Sequence, residues 1–144
     1  MPAHNFASND EAIAYMKDIA IKRSGFTNFL GVEPVVCWQG KSELLLAVRS
    51  DLTQHHGYVH GAVVGLMADN ACAWAASSVA GDVVTGSYAI NFLAPATGTA
   101  LRAHGTVVKA GKRQVIVRAE VWSETTGKDP VLCAIAQATV VPVG

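Results

Sequence analysis

At 144 residues the chain has the size of one domain and can bury a core without disulfides or metals. Its 11 Lys and Arg balance 11 Asp and Glu, so it has neither the basic excess of a nucleic-acid binder nor the acidic tail of a solvating region. Hydrophobic residues make up 51% and charged ones 15%, an apolar balance that points to a large interface between copies.

The three cysteines, Cys37, Cys72 and Cys133, are odd in number and lack C-x-x-C spacing. They read as reduced core residues of a cytoplasmic protein. The opening MPAHNFASND lacks the basic-then-apolar layout of a signal peptide.

In chain order, Asn9-Asp10-Glu11 opens a capped helix. Ile13, Met16, Ile19 and Ala20 recur there at helical spacing, Lys22-Arg23 close the last turn, and Gly25 is the expected stop. Two strand-like runs follow, GVEPVVCWQ and SELLLAVRS, with hairpin chemistry at Gln39-Gly40-Lys41. The His-rich loop DLTQHHGYVHG then leads into a helix over residues 62–80, ended by Gly81. That helix is apolar on nearly every face and long enough to prompt a membrane test. Asp69-Asn70 at its centre argue instead for a buried helix of a soluble protein.

Four further strand-like runs complete the chain: VVTGSYAINFLAP, TALRAHGTVVKAG, KRQVIVRAEVWSETTG and DPVLCAIAQATVVPV. Turns at Gly98, Gly111 and residues 127–130 separate them. No second set of strands is present to form a sandwich. The order therefore predicts an α+β domain in which one antiparallel sheet wraps the central helix.

Two features of that helix carry chemistry. Gly61 opens it, so its backbone N–H is among those without an intrahelical partner and lies at the positive end of the macrodipole. A carbonyl placed there gains stabilisation as it becomes an oxyanion, and glycine lets a ligand come close. Asp69 is a carboxylate inside an apolar helix, which must be paired, functional or neutralised.

Eight residues separate the two, about 12 Å of helix rise. Both groups need to be about 3 Å from the reacting atoms, so one helix cannot place both on one substrate. Two such helices crossing antiparallel on a two-fold axis can, which predicts a homodimer with shared sites.

The loop-helix VHGAVVGLMADNACAWAA, the strand ending INFLAPA and the turn KAGKRQVIVRAEVW resemble the hot-dog-fold thioesterases. The likeness is to the phenylacetic-acid-degradation (PaaI-like) type within the 4-hydroxybenzoyl-CoA thioesterase superfamily. It covers residues 29–142, and residues 1–28 form a helical segment before it, all within a single domain over 1–144.

The resemblance implies an acyl-CoA substrate, with coenzyme A entering only as part of it. It also implies no separate cofactor, no metal, no nucleic acid and no membrane, and a homodimer or homotetramer. His60-Gly61-Ala62 stands where the family has His-Gly-Gly, Ala62 keeping the N–H as a donor. Asp69 then acts as nucleophile or general base, and His60 orients the loop. Gln54, six residues before His60, helps hold the carbonyl or the attacking water.

The family's water-binding hydroxyl maps to Thr85, with Ser87 expected on the same face by strand alternation. Lys109, Gly111, Lys112 and Arg113 resemble the basic turn that meets CoA phosphates. Two alternatives stay open on sequence: a hot-dog enoyl-CoA hydratase or dehydratase, and a non-catalytic acyl-CoA-binding protein. His55, His56 and His60 lack the companions of a metal site, and no G-x-S-x-G elbow is present.

Overall fold

The computed structural model describes residues 5–144. Helix α1 (Asn9–Tyr15) passes through a π-helical turn (Met16–Ala20) into α2 (Ile21–Arg23), and α3 (Gly25–Leu30) follows. The cap of α1 lies one residue before the one the sequence suggests. Ser8 Oγ accepts from Glu11 N at 3.3 Å, and the Glu11 carboxylate accepts from Ala7 N at 2.9 Å, a reciprocal arrangement close to a capping box. Asn9 is thereby freed for strand β1 (Glu33–Trp38), accepting from Cys37 N at 2.9 Å and donating to Val35 O at 3.2 Å. Its amide covers part of an otherwise open sheet edge.

Gly25 does not end the helical segment. The break falls at Ser24, where ψ is 90°, and Gly25 opens α3, which stops at Gly31 with a left-handed φ of 80°. The sequence GFTNFL has modest helix propensity and no side-chain cap. Docking holds it instead. The Asn70 amide donates to Thr27 Oγ1 at 3.1 Å, and Arg49 donates to the Leu30 carbonyl at 2.8 Å.

Strands β1, β2 (Lys41–Ala47), β3 (Val83–Phe92), β4 (Ala100–Ala110), β5 (Val115–Glu124) and β6 (Val131–Pro142) form one antiparallel sheet. Its order is β1-β2-β4-β5-β6-β3, so β1 and β3 are the edges. The first hairpin turns on two residues, Gln39 (φ 51°) and Gly40 (φ 76°), with Lys41 already in β2. Positive φ at both central positions matches the right-handed twist of the strands.

The sheet wraps helix α4 (Gly61–Ala80), which touches every strand. This α+β arrangement is the hot-dog fold. Leu44, Leu46, Met67 and Leu101 are fully buried between helix and sheet, each stabilising by about 1.5–3 kcal/mol.

Small residues set how deeply α4 sits. Ser42 Oγ donates to the Ala71 carbonyl at 2.6 Å, and Gly105 of β4 lies directly beneath that carbonyl. A Cβ on Gly105 would fall 2.2 Å from Ala71 O and 2.5 Å from Ser42 Oγ. We therefore expect Gly105→Ala to cost about 3 kcal/mol through overpacking, read as a lowered urea midpoint.

The helix is not buried all round, contrary to the reading of its composition. Ala62, Leu66, Asp69, Ala73 and Ser77 form a stripe at helical spacing that is only half-buried or exposed. The stripe lies between edge strand β3 and the N-terminal helices.

Candidate active site

The loop before α4 is fixed by a bridge between Thr53 and Val59 and by His60 N donating to Leu52 O at 2.8 Å. His60 then becomes the N-cap, and its Nδ1 accepts from Ala62 N at 3.0 Å. Ala62 therefore does not keep a free donor as the sequence suggested, because the histidine has taken it. Val63 N and Val64 N donate to the His60 carbonyl at 2.9 and 3.2 Å. Of the four N–H groups opening the helix, only that of Gly61 carries no bond among the described residues. It is the open donor at the positive end of the dipole.

A cleft of about 350 Å³ adjoins Gly61 and is bordered by Gln54, Tyr58, Phe92 and Pro95. Gln54 Oε1 accepts from His56 N, so its oxygen is committed to its own loop. The amide nitrogen is the half left for a ligand.

Asp69 lies two turns along α4 with its carboxylate half-buried on the open stripe, not enclosed as the apolar helix suggested. One oxygen, Oδ1, accepts from Thr85 Oγ1 at 2.6 Å. Among the described residues Oδ2 carries no bond. A charge-assisted hydrogen bond this short orients the carboxylate while leaving its other oxygen available.

Ser87 does not share that face. Pairing with β6 slips between Thr85 and Ser87, a β-bulge at Gly86 that adds one residue and reverses the alternation. Beyond the bulge Tyr88 and Phe92 face α4: the Tyr88 hydroxyl lies 3.2 Å from a Cβ built on Gly65, and the Phe92 ring 3.5 Å from one on Gly61. These two aromatics were not singled out from sequence. The signal was there, since Gly86 inside a strand pattern marks a bulge, after which 88, 90 and 92 form the inward set.

The structure thus gathers two groups within a chain, Gly61 with Gln54 and His60, and Asp69 with Thr85. It does not bring them together. The basic turn stands apart from both: Lys109, Gly111, Lys112 and Arg113 border a surface hollow at the β4–β5 turn. Nearby, Val107 of β4 and Val79 at the C-terminal end of α4 both come close to Gly40, whose carbonyl accepts from Val107 N at 2.8 Å.

Cys37, Cys72 and Cys133 are free and buried. Burial pushes the Cys72 thiol up to about 12, with the Asp69 charge adding to the shift. That leaves it un-ionised beside the carboxylate and unsuited to nucleophilic work. Among the described residues no cluster of three His, Cys, Asp or Glu side chains is placed to hold a metal.

Comparisons with known proteins agree with this architecture. A family model described as the thioesterase superfamily matches residues 56–129, a span holding His60, Gly61, Asp69, Thr85 and the basic turn but not Gln54. A candidate esterase of Saccharolobus solfataricus is 31% identical over 121 residues, covering 83% of this chain and 78% of that protein.

Among solved structures, a thioesterase family protein from Silicibacter pomeroyi superposes with a TM-score of 0.84 at 28% identity, over 92% of this chain and 99% of that one. A mutant of the phenylacetic acid degradation protein PaaI of Thermus thermophilus superposes with a TM-score of 0.72 at 27% identity, over 83% of this chain and 99% of that one. With its six-stranded sheet around α4, the chain belongs to the thioesterase superfamily, as a hot-dog-fold protein of the PaaI-like type.

Proposed function

We propose that the chain hydrolyses acyl-CoA thioesters with a small aromatic or short-to-medium acyl group, releasing free acid and CoA at sites shared between two copies. The Asp69–Thr85 pair carries this reading. It presents an oriented carboxylate with one free oxygen on an open, small-residue face of α4.

Asp69 of one protomer attacks the thioester carbon or takes a proton from the water that does. The Gly61 N–H of the other protomer receives the carbonyl oxygen as charge builds on it. Collapse of the tetrahedral intermediate breaks the C–S bond and expels CoA as thiolate, which takes up a proton. Where Asp69 itself attacks, water then hydrolyses the acyl–Asp69 anhydride, releasing the free acid and restoring the carboxylate. Gln54, through its amide nitrogen, steadies the carbonyl or the water.

The edge strand supports the dimer. Val84, Tyr88, Phe92 and Leu93 of β3 and its end are exposed, at 53, 44, 57 and 53%. An unpaired, apolar edge of this length is an association surface. Pairing two β3 edges about a two-fold axis joins the sheets and lays the open stripes of two α4 helices against each other. Ala62 and Ala73 on that stripe are small enough for Gly61 of one to approach Asp69 of the other.

Across that axis the basic turn at the C-terminal end of one α4 approaches the Gly61 end of its partner, where it meets the CoA phosphates. Lys112→Glu combined with Arg113→Glu should raise KM for acyl-CoA about tenfold with little change in kcat, and the loss should shrink at high salt. Steady-state kinetics at two ionic strengths checks this. An unchanged KM removes the turn from the site.

A thiol-release screen over aromatic and aliphatic acyl-CoAs tests the activity itself. Thiol release that disappears in Asp69→Ala supports the reading. Enoyl-CoA consumed without thiol release assigns a hydratase instead, and equal thiol release by wild type and Asp69→Ala rejects the catalytic role.

A further inference from the structure

A second cavity, of about 590 Å³, lies beside the C-terminal half of α4 beneath the N-terminal helices. Met16 roofs it, Cys37 and Trp38 of β1 form one wall, Ala73 and Trp74 of α4 form the floor, and Val83 closes the side at the start of β3. Three of the polar side chains around it, Cys37, Ser77 and Ser78, are already used. The Cys37 thiol and the Ser77 hydroxyl both donate to the Trp74 carbonyl, at 3.4 and 2.9 Å. Ser78 Oγ accepts from Gly40 N at 2.8 Å and donates to Ala75 O at 2.7 Å. Burial pushes the Cys37 thiol up to about 11, so this thiol is not an activated nucleophile. Asn5, Gln39 and Asp82 also line the cavity, but most of its lining is apolar, and its size suits a small-molecule group.

Its position relates it to the chemistry. Ala73 is one helical turn beyond Asp69 on the same face, about 6 Å along the axis. Val83 is two residues before Thr85. The two elements that hold the Asp69–Thr85 pair therefore continue directly into the cavity wall. The roof is pinned: Asn9 ties the N-terminal segment to β1 through Cys37 N and Val35 O. The π-helical turn begins at Met16, which is 6% exposed and turned inward.

We infer that this cavity receives the apolar acyl group of the thioester cleaved at Asp69, and that Met16 and Trp74 set the largest group it accepts. The inference rests on the thioesterase reading and adds where the acyl group goes and which side chains select it. An acyl group larger than acetyl runs from the carbonyl past Ala73 into the space between Trp74 and Met16. The N-terminal helices are then the specificity wall of the site.

The test compares wild type, Met16→Trp, Met16→Ala and Trp74→Ala on acetyl-, hexanoyl-, decanoyl- and phenylacetyl-CoA. Circular dichroism and mass in solution check that each variant folds and assembles. Met16→Trp should lower kcat/KM on the three larger substrates by roughly tenfold or more, and leave acetyl-CoA within about twofold. Met16→Ala and Trp74→Ala should shift the preference towards decanoyl-CoA. Folded variants that scale all four substrates equally, or change none, overturn the inference.

If wild type releases no thiol from any substrate, the thioesterase reading fails separately. The cavity is then tested by the quenching of Trp38 and Trp74 fluorescence with hexanoate and phenylacetate. Saturable quenching that Met16→Trp abolishes keeps the cavity as an apolar-acid site. Absent quenching rejects it.

Discussion

Asp69→Ala should lower kcat by about 10²–10⁴-fold, the range for losing a positioned acid–base group, while leaving KM and the oligomeric mass near wild type. The stability cost should be small, because the carboxylate is half-buried and makes one side-chain bond, to Thr85 Oγ1. Removing it leaves a hydroxyl on the open face of α4, not an orphan in the core, for a loss of about 1 kcal/mol.

Asp69→Asn sharpens the test. The amide oxygen still accepts from Thr85, so orientation survives while the base is gone. A folded Asp69→Asn protein with wild-type kcat would falsify the assignment of Asp69 to the chemistry. A protein that melts many degrees lower would make Asp69 a structural residue instead. Thiol release beside a thermal melt separates the two.

The parts of this molecule legible in the sequence are those set by long-range composition. The helix over residues 61–80, with alanines and glycine where it meets the sheet, could be read from its small apolar residues and Asp69. The wrapped antiparallel sheet followed from the number and order of the strand-like runs. Less legible were features decided by one residue's choice of partner.

Ser8 and Asn9 are both good caps, and only the proximity of β1 shows that Asn9 is taken elsewhere. α3 forms because Thr27 and Leu30 find partners on α4 and Arg49, which no local propensity records. Strict alternation put Thr85 and Ser87 on one face, but the bulge at Gly86 separated them. The N–H groups of Gly61 and Ala62 look equivalent in sequence. The His60 rotamer consumes one and leaves the other.

That inequality permits a direct test of the oxyanion donor, because Gly61 sits where proline is tolerated. It is the first residue of α4, and His60 before it has φ −59° and ψ 138°, the extended conformation that a following proline requires. Gly61→Pro therefore removes the open N–H with little strain on the helix.

Gly61→Ala is the matched control. Its new Cβ meets only the Phe92 ring at an ordinary 3.5 Å, and it keeps the N–H. We expect the proline variant to lose about 10²–10³-fold in kcat relative to the alanine variant, the cost of one oxyanion donor. If the two variants turn over alike, the carbonyl is held elsewhere.

Mixing Gly61→Pro with Asp69→Ala protein extends the argument to the two-fold. In a shared-site dimer the mixed species has one site with both residues intact and one with neither. Random exchange of subunits should then restore about a quarter of wild-type activity. Sites built within one chain would restore none, because every chain carries a defect. Activity that returns on mixing, at a rate limited by subunit exchange, would place Gly61 and Asp69 on opposite sides of the same thioester.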